Sequence, residues 1–162
     1  MKKLILIRHA KSSWNTPVQD HDRPLSKKGI NDAHKVSDVL VSQLPKTAII
    51  WTSTAKRARE TAVIFAQNFL IPLESLIQMP DLYTFESSEL EKIIKSCENR
   101  HANLILFGHN DAITKFVNKF GDLSIENVPT TGVVEIDFDT DDWNQISKGK
   151  IVQTIFPRDL QI

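Results

Sequence analysis

The chain has 162 residues, the length of one domain and enough to bury a substantial core. Its 20 basic and 20 acidic residues cancel, so no net field draws it to nucleic acid or to an anionic membrane, and any anion binding must come from charge placed locally. The one cysteine, Cys97, excludes an intrachain disulfide framework and suits a reducing compartment.

The amino terminus offers Lys2-Lys3 ahead of the run Leu4–Ile7. That run stops at Arg8, too short for the apolar segment of a signal peptide, and no small-residue cleavage site follows. Nothing approaches transmembrane length, so a cytoplasmic protein is expected. Leu4–Ile7 reads as a first strand. Residues 26–42 carry Ile30, Ala33, Val36 and Leu40 at helical spacing, and Ala48–Trp51 reads as a second strand. Residues 55–70 repeat Ala55, Ala58, Ala62, Phe65 and Phe69 at intervals of three and four. The segment 88–98 begins Ser88-Glu89-Leu90-Glu91, the spelling of a capping box, and continues with Ile93, Ile94 and Cys97, which makes Cys97 a core position.

Leu104–Phe107 is a third strand, followed by a helix over 111–120 with Ile113, Phe116, Val117 and Phe120 on one face. Val133–Phe138 and Lys150–Phe156 are the last strands, and Asp137, Asp139, Asp141 and Asp142 ahead of Trp143 mark the turn between them. Strands alternating with helices predict a three-layer α/β/α sandwich around a mostly parallel central sheet, with residues 1–162 as a single domain. The uninterrupted apolar character of Leu4–Ile7 and Leu104–Phe107 suits strands covered on both faces.

In an open α/β sheet, ligands bind beyond the carboxyl ends of the strands. Three such ends carry reactive residues: Arg8-His9, then Thr52-Ser53 with Arg57 in the next helical turn, then Gly108-His109-Asn110. Arginine's planar fork binds phosphate oxygens bidentately, and a helix amino terminus adds free N–H groups, so the expected ligand is a phosphoryl group. One histidine can attack phosphorus and the other can donate to its oxygens. A metal would want nearby carboxylate or thiolate ligands and would be repelled by guanidinium groups, so none is expected.

Leu6-Ile7-Arg8-His9-Ala10 with Ser13-Trp14-Asn15, then Ser53–Thr61, then Gly108-His109-Asn110 resemble, in order, the three signature blocks of the histidine phosphatase superfamily, which includes the phosphoglycerate mutases. Asp22–Ser26, Asp81-Leu82-Tyr83 and Phe156–Leu160 look like its bacterial phosphohistidine phosphatase (SixA-type) branch. The resemblance covers nearly the whole chain. It implies a phosphoglycerate mutase-like fold and no cofactor. It also implies that His9 is the nucleophile, that Arg8, Arg57 and His109 hold the phosphoryl group, that Asn15 contacts phosphate, and that Arg23 stands at the pocket rim. Ala10 replaces the usual glycine and adds only a methyl. Thr84 stands where many phosphomonoesterases and mutases of the superfamily carry a glutamate, and Glu86, Asp111 and Asp22 are the available substitutes as general acid.

An alkoxide needs a general acid in order to leave, whereas a histidine ring, which titrates near pH 6.5, leaves readily once protonated. The missing glutamate therefore tilts the expected substrate toward phosphohistidine. The expected function is a metal-independent phosphatase working through phospho-His9, with a phosphorylated protein or small phosphorylated substrate as partner and neither nucleic acid nor membrane. The alternatives are a phosphomonoesterase acting on a small molecule and a phosphate-dependent binding module without turnover. Lys56, Arg59, His21, His34 and His101 read as surface residues; Trp14, Trp51 and Trp143 read as packing residues, with Trp14 also able to wall the pocket.

Overall fold

The structure is a computed structural model that describes residues 1–15 and 17–160. Strands β1 (Lys2–Arg8), β2 (Ile49–Thr52), β3 (Leu76–Gln78), β4 (Asn103–Gly108), β5 (Val133–Phe138) and β6 (Lys150–Ile155) form one sheet in the order β3-β2-β4-β1-β5-β6. The β3-β2, β2-β4 and β4-β1 pairs are parallel, and β5 and β6 add antiparallel strands at one edge. Helices α1 (Lys27–Leu40), α2 (Lys56–Phe69), α3 (Ser87–Lys95) and α4 (Ala112–Phe120) cover it. Among the described residues, no helix is long and apolar enough to cross a membrane.

The two-residue alternation of a strand divides the core into two layers. Leu4 and Leu6 of β1 and Leu104 and Leu106 of β4 pack with Leu90, Ile93 and Ile94 of α3 and with Ile113, Phe116 and Val117 of α4. Ile5, Ile7, Ile105 and Phe107 point the other way, onto Ala33, Val36 and Leu40 of α1 and Ala62 and Phe65 of α2. Both faces of β1 and β4 are thus covered, as their unbroken apolar runs predict. Cys97 is buried in the first layer, where burial pushes its thiol up to about 11.

Two expectations fail locally. Strand β3 carries no sequence signal: it has only three residues, two of them exposed, on the sheet edge. The capping box at Ser88 does not form. Helix α3 starts at Ser87 with Glu86 at its cap and no side-chain cap bond, because the Glu91 carboxylate is taken by Lys95 at 3.0 Å and by Lys119 of α4 at 2.7 Å.

One contact ties the first helix to the loop after β1. Ser26 caps α1 through the Gly29 N–H, and both its own N–H and its hydroxyl donate to the Lys11 carbonyl. A Cβ on Gly29 would run into the backbone of Lys11. Gly29→Ala should therefore cost about 1–3 kcal/mol through overpacking, despite alanine's better helix propensity. Urea unfolding of the two proteins measures this; an equal or higher midpoint for the variant would mean that the loop yields freely.

Candidate active site

The parallel register sets the carboxyl ends of β2, β4 and β1 side by side. The ladder continues past each strand: the Ser53 N–H donates to the Phe107 carbonyl at 3.0 Å and the His9 N–H to the Gly108 carbonyl at 3.1 Å. Thr131 N–H closes the other flank on the carbonyls of Arg8 and His9, with Thr131 itself in left-handed backbone at φ 64°. A strained β-branched residue held in place by its surroundings is typical of sites where backbone position is critical.

A cavity of about 340 Å³ opens above this row, lined by Arg8, His9, Lys11, Ser12, Trp14, Asp20, Arg23, Arg57, Phe85, Asn110 and Thr130. A larger one, about 530 Å³, lies at the opposite end of the sheet among Thr47–Ile49 and Arg100–Asn103. It gathers no comparable set of cations and histidines, so the smaller cavity is the candidate site.

His9 is 7 % exposed, and its hydrogen bonds fix its tautomer. Nδ1 lies 2.7 Å from the Ala10 carbonyl, which can only accept, so Nδ1 carries the proton. Nε2 is then a lone pair, and it accepts from Arg57 Nε at 3.3 Å. Burial, with Arg57, Arg8 and Arg23 nearby, lowers the ring's pKa from 6.5 to about 3 against the opposing Ala10 bond. At neutral pH, His9 is an uncharged ring with Nε2 directed at the cationic cavity. Such a nitrogen can attack an electrophile without a base to activate it.

His109 lies 5.2 Å from His9 between ring centroids. Its Nε2 pairs with Ser53 Oγ at 2.8 Å, and that Oγ also accepts from the Ala55 N–H at 3.2 Å. In the tautomer in which the Ser53 hydroxyl donates to Nε2, Nδ1 carries the proton; in either tautomer Nδ1 is buried and without a partner among the described residues. Arg8 Nε is likewise buried and unpartnered, while Arg8 Nη1 donates to the Val128 carbonyl at 2.9 Å. Buried polar nitrogens without partners are rare, and here two of them lie beside His9, where an anion can satisfy them. Burial, then the neighbouring His9 and Arg57, bring His109 down to about 2.

Arg57, fully buried in the first turn of α2, meets the Asp20 carbonyl through Nη1 at 2.7 Å and the Asp20 carboxylate through Nη2 at 3.0 Å. Arg23 grips the other carboxylate oxygen through Nε at 3.2 Å and Nη2 at 3.1 Å, and also donates to Ser12 Oγ. Tyr83 donates its hydroxyl to Asp20 at 2.6 Å. Burial alone would raise Asp20, but the bonds from Tyr83 and Arg57 outweigh it and hold the carboxyl at about 2. A carboxylate thus occupies the forks of both arginines.

His9, Arg8, Arg57 and His109 come together, and Arg23 joins them at the rim. Asn15 does not line the cavity. It is exposed, and its N–H turns back onto Ser13 Oγ at 3.1 Å. None of Glu86, Asp111 and Asp22 lines it either; the lining carboxylate is Asp20. Nothing in the irregular segment around Asp20 distinguished it from Asp22. Trp51 and Trp143 are buried as packing residues, whereas Trp14 is 77 % exposed on the wall. Arg59 is tied back to the Thr54 carbonyl, and His21 pairs with Thr54 Oγ1 at 2.9 Å and stacks edge-on against Tyr83, so neither is a free surface group.

A family model described as histidine phosphatase superfamily (branch 1) matches residues 4–83, the span that holds Arg8, His9, Asp20, Arg23, Arg57 and Tyr83. The chain belongs to the histidine phosphatase superfamily. Its sequence is 51 % identical over 61 residues, 37 % of this chain, to an uncharacterised chloroplastic protein of Arabidopsis thaliana. It is 44 % identical over 55 residues, 34 % of this chain, to an uncharacterised protein of Mycobacterium tuberculosis strain H37Rv. The matched stretches span only 28 % and 35 % of those relatives' own lengths.

Solved structures share the whole fold. The protein histidine phosphatase SixA complexed with tungstate superposes with a TM-score of 0.83, covering 98 % of this chain and 99 % of that one at 16 % identity. A putative phosphohistidine phosphatase SixA from Agrobacterium tumefaciens gives 0.78, covering 95 % and 97 % at 21 % identity. The expected phosphoglycerate mutase-like architecture is the one observed.

The two depressed histidines make acid stability a test of this superfamily site. Their folded pKa values lie below the unfolded value near 6.5, so between about 3 and 6.5 the unfolded chain binds more protons. Their contribution is complete above pH 6.5 and is lost as pH falls through that window. Urea midpoints at pH 7.5 and pH 4.5 should show the drop, and His9→Gln should shrink it; an unchanged drop would contradict burial of a neutral His9. Asp20→Asn tests the occupied forks. It should tighten binding of inorganic phosphate or vanadate about fivefold, the scale of one screened charge contact, as measured by calorimetry. Weaker binding would mean that Asp20 positions the arginines rather than competing for them.

Proposed function

We propose that this chain is a metal-independent phosphatase that works through a phosphohistidine intermediate on His9 and removes phosphate from phosphohistidine in proteins. The observation that carries the reading is the His9 ring itself: Nδ1 is committed to the Ala10 carbonyl and a bare Nε2 faces the Arg57 fork inside a cationic cavity. Membership of the superfamily supports it. The two SixA structures are called a protein histidine phosphatase and a putative phosphohistidine phosphatase, and they lend the same substrate class to this fold.

The reaction takes two displacements. The His9 Nε2 lone pair forms a bond to phosphorus while the bond from phosphorus to the substrate's ring nitrogen breaks. That nitrogen keeps the pair and leaves as neutral imidazole, its other nitrogen having been protonated beforehand. Arg8, Arg57 and Arg23 neutralise the phosphoryl oxygens and His109 Nδ1–H donates to them, so Asp20 gives up its arginines when the phosphoryl group enters. Water then attacks phosphorus, the Nε2–P bond breaks, and inorganic phosphate departs with neutral His9 restored. Spreading the transfer over two steps lowers each barrier, and the cations supply charge stabilisation that other phosphoryl-transfer sites draw from a metal.

His9→Ala should fold like the parent and lose all turnover of p-nitrophenyl phosphate and of a phosphohistidine peptide. The parent, quenched during turnover, should carry acid-labile phosphate on His9, and its rate should survive EDTA. Turnover by folded His9→Ala protein, or a rate restored only by one divalent ion, would overturn the mechanism.

A further inference from the structure

We propose that Trp14 and Phe85 form a seat for a planar aromatic leaving group, the imidazole ring of a phosphohistidine side chain, at the mouth of the cavity. The inference deepens the phosphatase reading and rests on it. In a phosphoryl transfer, the attacking and departing atoms lie roughly in line through phosphorus. With His9 attacking from the cavity floor, the departing ring must stand toward the mouth.

The mouth is not built like the floor. Where the floor has Arg8, His9 and Arg57, the outer wall presents two large exposed rings, Trp14 at 77 % and Phe85 at 49 % exposure. Each is held by its neighbours rather than free to fold away. The Trp14 ring lies over the Arg23 guanidinium, 3.6 Å from centroid to carbon, a close cation–π contact, and Arg23 is pinned by Asp20 and Ser12. Phe85 stands edge-on to Tyr83 at 5.8 Å and to His109 at 5.6 Å, with interplanar angles of 73° and 70°. Exposed aromatic rings held at a pocket rim mark a binding surface more than an accident of packing.

The acid–base character of the wall agrees. Thr84, whose hydroxyl oxygen accepts from the Glu86 N–H, brings no carboxyl group, and the carboxylate on the wall, Asp20, is ionised and engaged by two arginines and Tyr83. Such a mouth offers a departing alkoxide little help with its proton, but it offers a flat ring two aromatic surfaces. A ring that leaves as neutral imidazole needs the second and not the first.

Non-hydrolysable phosphonates test the seat without requiring turnover. Calorimetry with phenylphosphonate and cyclohexylphosphonate compares a flat ring with a puckered one of similar bulk. The wild-type protein should bind the phenyl compound about fivefold tighter, the scale of an aromatic contact beyond burial alone. Trp14→Ala and Phe85→Ala should abolish that preference, weakening phenylphosphonate more than methylphosphonate. The same variants should lower kcat/KM for a phosphohistidine peptide by a larger factor than for an alkyl phosphate. Equal binding of the two rings by wild type, or a preference that survives both substitutions, overturns the seat while the phosphatase reading stands. Failure to bind any of the three phosphonates would overturn both.

Discussion

The site depends on one constraint, the parallel register that sets the carboxyl ends of β2, β4 and β1 in adjacent rows. Ser53, His109 and His9 follow those three ends, and the bonds from Ser53 to Phe107 and from His9 to Gly108 extend the sheet by one residue beneath them. Ser53 then fixes the His109 ring and Ala10 fixes the His9 ring. A main-chain carbonyl thus orients one imidazole and a hydroxyl just past the end of β2 orients the other, so both are set from the ends of the sheet. The strands that hold them are buried on both sides, so displacing them would mean disrupting both core layers.

The site balances charge internally. Three arginines around two neutral histidines would repel one another in a half-buried cavity, and Asp20 relieves this by taking the forks of Arg23 and Arg57. In the proposed reaction a phosphoryl group must displace that carboxylate before it meets the two forks. Burial and the positive surroundings, rather than a partner base, keep His9 unprotonated.

The amino-acid sequence determined the local elements and the order of the chemistry. The unbroken apolar runs Leu4–Ile7 and Leu104–Phe107 announce strands covered on both faces, and the three-and-four spacing through Ala58, Ala62 and Phe65 announces α2, a period that the helical backbone itself imposes. Arg8-His9, Arg57 and Gly108-His109 could be placed at strand ends because those ends follow directly from the apolar runs. What remained out of reach depended on tertiary contacts. Strand β3 exists because a neighbouring edge accepts it, and the Ser88 cap loses to Lys95 and Lys119, two cations that compete for Glu91. Asp20 opens a single 3-10 turn, Asp20–Asp22, too short for a period to aim its side chain, and only the folding of that turn over α2 brings its carboxylate to Arg57. The exposure of Trp14, the edge-on placement of Phe85 and the turning away of Asn15 are likewise settled by loop paths. A sequence names the residues of a loop; which of them face the cavity is decided by the surfaces against which the loop is packed.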